Sequence, residues 1–161
     1  MARARYIGII VALLLLLCCC KQRTDGESLS TEPIGFTKEG QLQFFRVDSL
    51  MQTMDIEFAE TDYEVEIGLM YRQSMAADQG MLFIFPDVAL HSFYMKNTAI
   101  ALDIIFIDEA QQIASFQKNA QPFDERSLPS QVPVKYVLEI NAGLADQWGL
   151  QIGDRMVFDK Y

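Results

Sequence analysis

The sequence predicts a mainly β domain, a compact antiparallel sandwich or barrel with one or two short helices. Three observations lead there. Short apolar stretches recur through residues 41–161, and Pro, Gly and Asp keep interrupting them. Helix start and stop signals occur at only two places. The 161 residues are 50% hydrophobic and 22% charged, an ordinary globular composition that argues against wholesale disorder.

The strands come first. Residues 41–47 and 54–59 are short β candidates, and residues 81–85 form an apolar run that Pro86 should stop. Residues 92–95 and 99–107 read as strands, the second apolar on both faces. Residues 113–116, 135–141 and 156–158 complete the set. Turns are marked by Pro86-Asp87, Asp108-Glu109, Pro122, Pro129, Pro133 and Gly153-Asp154. Thr61 and Glu64 have capping-box spacing, so a helix is expected from there to about Arg72. A second, shorter helix is expected over 144–148, stopped by Gly149. Many short strands and few helices favour two packed β layers or a closed sheet.

The N-terminus reads as an address. Arg3 and Arg5 precede an apolar run over 6–17, the length of a secretory h-region and short of a bilayer span. Cys18, Cys19 and Cys20 follow at once. An h-region ending in Leu and small residues before Cys resembles a bacterial lipoprotein signal. In that class the retained thiol carries diacylglycerol and the freed amine is acylated. Cys20 fits best, with Leu17 at minus three and the small Cys19 at minus one. More than one acyl chain gives stable anchoring. Polar residues 21–40 then serve as a tether, and 41–161 as a single β-rich domain. The expected location is the bacterial cell envelope, facing the periplasm or the outside.

Charge and rare residues narrow the function. The chain has 13 Lys+Arg against 22 Asp+Glu, a net charge of -9. Losing Arg3 and Arg5 with the leader takes -9 to -11. Such a chain repels phosphate backbones, so no nucleic-acid partner is expected. No Cys follows position 20, which removes disulfides and thiol catalysis from the exported domain. The single His91 cannot build a common zinc site and is read as a surface residue. No metal or cofactor is expected. No Walker loop, dinucleotide turn or nucleophile elbow is present.

Five segments carry a family likeness: Gly68-Leu69-Met70-Tyr71-Arg72, Gly80-Met81-Leu82-Phe83-Ile84-Phe85, Phe93-Tyr94-Met95-Lys96-Asn97-Thr98, Leu102-Asp103-Ile104-Ile105-Phe106-Ile107-Asp108 and Tyr136-Val137-Leu138-Glu139-Ile140-Asn141-Ala142-Gly143. In order and spacing they resemble the uncharacterised bacterial and archaeal family called domain of unknown function 192, over roughly residues 54–158. The resemblance implies a compact, mostly β domain, often exported, and brings no activity, substrate or cofactor. Tyr94 departs from a frequent Trp but keeps an aromatic.

Asp103 is the most informative polar residue, because both faces of its strand are apolar. Alternation sets it with Ala101, Ile105 and Ile107, and sets Leu102, Ile104 and Phe106 opposite. A buried carboxylate needs a cation or several donors. Arg72, Lys96 and Asn97 are the candidates. One reading makes Arg72, Lys96, Asn97, Asp103 and Glu139 the polar floor of a binding pocket. The other makes Asp103 part of a buried ion pair that fixes the fold. Glu139 shares a face with Val137 and Asn141, and Asn141 suits the N-cap of the second helix.

The expected function is therefore a lipid-anchored envelope domain that binds a small ligand or an envelope partner in a polar pocket. The alternatives are an envelope hydrolase using Asp103 and Glu139 as its carboxyl pair, and a purely structural accessory protein.

Overall fold

The computed structural model describes residues 34–161. The leader, the lipidation candidate Cys20 and the tether up to residue 33 lie outside the described residues.

Strand β1 (Gly40–Arg46) and strand β2 (Ser49–Ala59) form an antiparallel hairpin. Leu42 and Phe44 alternate inward on β1, as Met54, Ile56 and Phe58 do on β2. Helix α1 (Asp62–Ile67) follows with the expected capping box. The Thr61 hydroxyl accepts the Glu64 N–H at 3.3 Å, and the Glu64 carboxylate accepts the Thr61 N–H at 2.9 Å. The helix ends well before Arg72, because Gly68 turns with φ +47°. A Cβ at Gly68 would also meet the Phe83 ring at 3.0 Å.

The chain then crosses over, and strand β3 (Gln79–Ala89) runs parallel to β2. Pro86 does not stop this strand. It falls where the pairing with strand β8 (Val134–Asn141) is interrupted, between Ile84 and Ala89, so its missing N–H breaks no ladder bond. Strand β4 (Ser92–Phe93) pairs with strand β7 (Leu128–Pro129) in a small separate sheet. Strand β5 (Leu102–Ile107), strand β6 (Ile113–Ala120), helix α2 (Leu144–Gln147) and strand β9 (Arg155–Lys160) complete the order.

The main sheet has seven strands in the order β6-β5-β8-β3-β2-β1-β9. All neighbours are antiparallel except β2 and β3, whose crossover through α1 forces the parallel pair. The protein is thus mainly β, as expected, but as one open mixed sheet rather than a closed barrel or a pair of stacked sheets. Its two edges touch at one corner. Met156 N–H donates to Gln111 O at 2.7 Å, and Ile113 N–H to Asp154 O at 2.9 Å. Arg46 braces the same corner with a fork to both Asp154 oxygens, each contact 2.8 Å.

Both faces of the sheet are buried. The first face curls around Leu42, Phe44, Ile105, Ile107, Leu138 and Met156, with Leu144, Ala145 and Leu150 closing it. The second packs Met81, Phe83, Ile104, Phe106 and Val137 under Leu69, Met95 and Ile100 from the connecting segments. Strand β5 supplies both cores, which is why all six of its residues are buried.

Candidate functional site

Asp103 faces the first core and is 1% exposed. Its carboxylate is fully used by backbone. One oxygen accepts Asn119 N–H at 2.8 Å; the other accepts Gly143 N–H at 2.9 Å and Ala145 N–H at 3.0 Å. Gly143, the residue preceding α2, has no side chain to cap the helix. Asp103 does so from another strand. Asn141 is therefore not the cap expected from the sequence. Its amide donates instead to Met75 O at 2.8 Å and Ala76 O at 3.2 Å, fastening the segment that enters β3.

Arg72 pairs with a different acid. Its Nη1 lies 2.6 Å from an oxygen of Glu57, with both side chains buried. That contact is off the hydrogen-bonding line, and the guanidinium Nε has no partner among the described residues. The other Glu57 oxygen accepts Thr37 N–H at 2.8 Å. Lys96 is exposed. Asn97 donates to the Tyr71 hydroxyl at 2.9 Å, and its carbonyl accepts Tyr71 N–H at 2.9 Å. It ties its loop to the turn after α1. Arg72, Lys96, Asn97, Asp103 and Glu139 thus do not share one polar floor.

Glu139 behaves differently. It is 5% exposed and faces the second core, opposite Ile104 on β5. It lines a half-open cavity of about 230 Å³ between the α1 exit, β3 and the β4 segment. Leu69, Met70, Phe83, Phe85, Phe93 and buried Thr98 make most of the wall, with the exposed Ser92 and Tyr94 towards the opening. No partner among the described residues supports the Glu139 carboxyl. Burial pushes it up to about 8, so it is mostly neutral at pH 7.

His91 belongs to this wall rather than to the open surface. Its ring stacks on Phe85 at 3.6 Å and 20°, and its Nε2 is buried without a partner. Burial holds it below the usual imidazole range. Its position just past the Pro86-Asp87 turn signal carried no sign of this. Glu57 was also hidden in the sequence. Directly paired residues place Glu57, Met81 and Glu139 in one row across β2, β3 and β8. Two strand spacings separate the two acids, roughly 10 Å. Among the described residues, no group of three His, Cys, Asp or Glu could hold a metal ion.

The carboxyl pair of the hydrolase reading is not formed. Asp103 is paired with Ile140 and Glu139 with Ile104 on adjacent strands, so the two acids leave the sheet on opposite faces. Asp103 is also sealed by its three donors.

Fold and site together define a small open-sheet β domain whose crossover helix roofs an aromatic cavity. The chain belongs to the family of domain of unknown function 192, described as uncharacterized ACR, which matches residues 44–158. The UPF0127 protein of Pyrococcus furiosus is 21% identical over 112 residues, covering 66% of this chain and 89% of its own. A UPF0127 protein of Thermococcus sibiricus is 26% identical over 106 residues, covering 63% and 64%. Two crystal structures are similar throughout the domain. A protein of unknown function from Novosphingobium aromaticivorans is 34% identical, with a TM-score of 0.69 over 73% of this chain and 83% of that one. A candidate transcription regulator from Sinorhizobium meliloti is 35% identical, with a TM-score of 0.72 over 77% and 98%.

Proposed function

We propose that this protein is a lipid-anchored domain of the bacterial cell envelope, attached through Cys20, that binds a small ligand in the cavity beside Glu139. The observation that carries the ligand is Glu139 itself. Burying a carboxyl group with nothing to pair it costs several kcal/mol. Such a group in the wall of an aromatic cavity is a recognition element rather than a fold element. The anchor rests on the order of charge, apolar run and Cys cluster in residues 3–20. Among the described residues, no helix is long and apolar enough to cross a membrane. A net charge of -9 opposes a DNA duplex, so a DNA-bound regulator is disfavoured.

Native mass spectrometry of the full chain, extracted from its own membrane, tests both halves. The expected spectrum shows acylation at Cys20 and a co-purifying small molecule. Ser92→Trp, at the cavity mouth, should lose the small molecule and keep the acyl mass. Unmodified cysteines would remove the anchor. An identical bound mass in Ser92→Trp would move the ligand elsewhere.

A further inference from the structure

The chemistry of the cavity wall narrows the class of ligand. The charged or titratable residues among the lining are Glu66, Glu139, His91 and Tyr94; Lys and Arg are absent from it. An anion would find no counter-charge there. A bare metal ion would find one buried carboxyl and aromatic carbon, too few oxygens for a hard cation. The rings, by contrast, form a corner. Phe93 stands at 87° to Phe83, with centroids 5.0 Å apart, and at 87° to Phe85 at 6.4 Å. All three rings line the same cavity as Glu139, with His91 stacked on one face of Phe85. Ring faces attract organic cations, most strongly where water is excluded.

We infer that the cavity takes a small organic ammonium ion, held against Phe83, Phe85 and Phe93 and paired with the Glu139 carboxylate. This inference rests on the cavity being the ligand site. It explains why the acid is kept without a protein partner: the ligand supplies the missing charge. A free amine fits better than a phospholipid headgroup, because a phosphate would meet Glu66 at the rim and no cation in the wall.

Ion binding should be coupled to a proton. The groups facing Glu139 are few. Strands β3 and β5 offer only Met81, Phe83 and Ile104. Glu57 on β2 is already paired with Arg72, and Glu66 of α1 is exposed. Burial holds His91 below the usual imidazole range. With Glu139 raised to about 8, the empty site is protonated at pH 7, and a bound cation would drive that proton off. The proton goes to solvent, and the carboxylate it leaves pairs with the ligand.

Calorimetry on the full chain in an uncharged sugar detergent provides the test. The probes are choline, its uncharged isostere 3,3-dimethyl-1-butanol, and phosphocholine. Choline should bind about tenfold or more tighter than the isostere. Titrations in buffers of different ionisation enthalpy should show close to one proton released at roughly pH 7, falling towards zero by about pH 9.5. Glu139→Gln should weaken choline by about tenfold and abolish the release while keeping the far-ultraviolet circular dichroism unchanged. Equal binding of the isostere, or release that persists in Glu139→Gln, would overturn the cation and leave the cavity reading standing. Phosphocholine binding as tightly as choline would overturn the free amine in favour of a headgroup. No binding by any probe, together with an unaltered co-purifying mass in Ser92→Trp, would overturn the cavity reading as well.

Discussion

Asp103 and Glu139 sit on neighbouring strands, almost equally buried, one on each face of the same sheet. Asp103 has three backbone donors, two of them from the start of α2. Glu139 has no protein partner and is lifted to about 8 by burial. The difference lies in what covers each face. Above Asp103 the chain turns back on itself at Gly143 and offers bare N–H groups. Above Glu139 it offers phenyl rings and a cavity. Burial alone therefore does not mark a functional acid. Burial without donors, beside open space, is the arrangement on which the proposed ligand site rests.

The contrast can be broken from either side. Asp103→Ala should have the largest effect, about 4 kcal/mol of destabilisation, since three N–H groups, that of Ala145 fully buried, lose a charged acceptor. Urea unfolding near neutral pH would measure it. A loss under about 1 kcal/mol would mean that α2 does not need this cap. Arg72→Met should cost about 3 kcal/mol by leaving Glu57 charged and unpaired. The double variant Arg72→Met with Glu57→Gln should recover much of that in the same assay.

Glu139→Gln should go the other way. The folded protein keeps the Glu139 proton up to about pH 8, whereas the unfolded chain releases it near the ordinary carboxyl value of 4.5. Wild-type stability therefore declines as pH rises between those limits, by about 1.4 kcal/mol per pH unit at most. The glutamine variant lacks that decline. It should be up to about 4 kcal/mol more stable at roughly pH 8, with the difference vanishing near pH 4. Thermal melts at several pH values read this directly, and parallel curves would remove Glu139 from the comparison. Lys96→Ala, on the exposed loop, should change stability by less than about 0.5 kcal/mol.

The alternation of apolar residues already separates the two acids. It sets Asp103 with Ile105 and Ile107, and Glu139 with Val137, and the two cores divide along those lines. A period of two is a local property, so it survives without knowledge of the fold. The capping box of α1 was legible for the same reason. Partners far apart in the chain were not. The α2 cap comes from a residue 40 positions upstream of Gly143, so nearby Asn141 looked sufficient. Glu57 alternates with Ile56 and Phe58 like any solvent-facing acid. Its cover comes from the segment that follows α1, which only the parallel crossover brings back over β2. Strand β4 lies within the 92–95 stretch read from the sequence, but its two-residue partner β7 is too short to leave a pattern, and with that pairing went the place of His91 in the wall.

The corner where Gln111 and Ile113 meet Met156 and Asp154 has a consequence for crowding. An open sheet normally leaves two unpaired rims, each able to recruit a strand from another molecule. Here the rims partly satisfy each other, and the Arg46 fork clamps the junction. Molecules packed side by side on a surface would thus find less backbone free for fibril-like addition. The same architecture that leaves a hollow open on one face guards the border of the sheet against self-association.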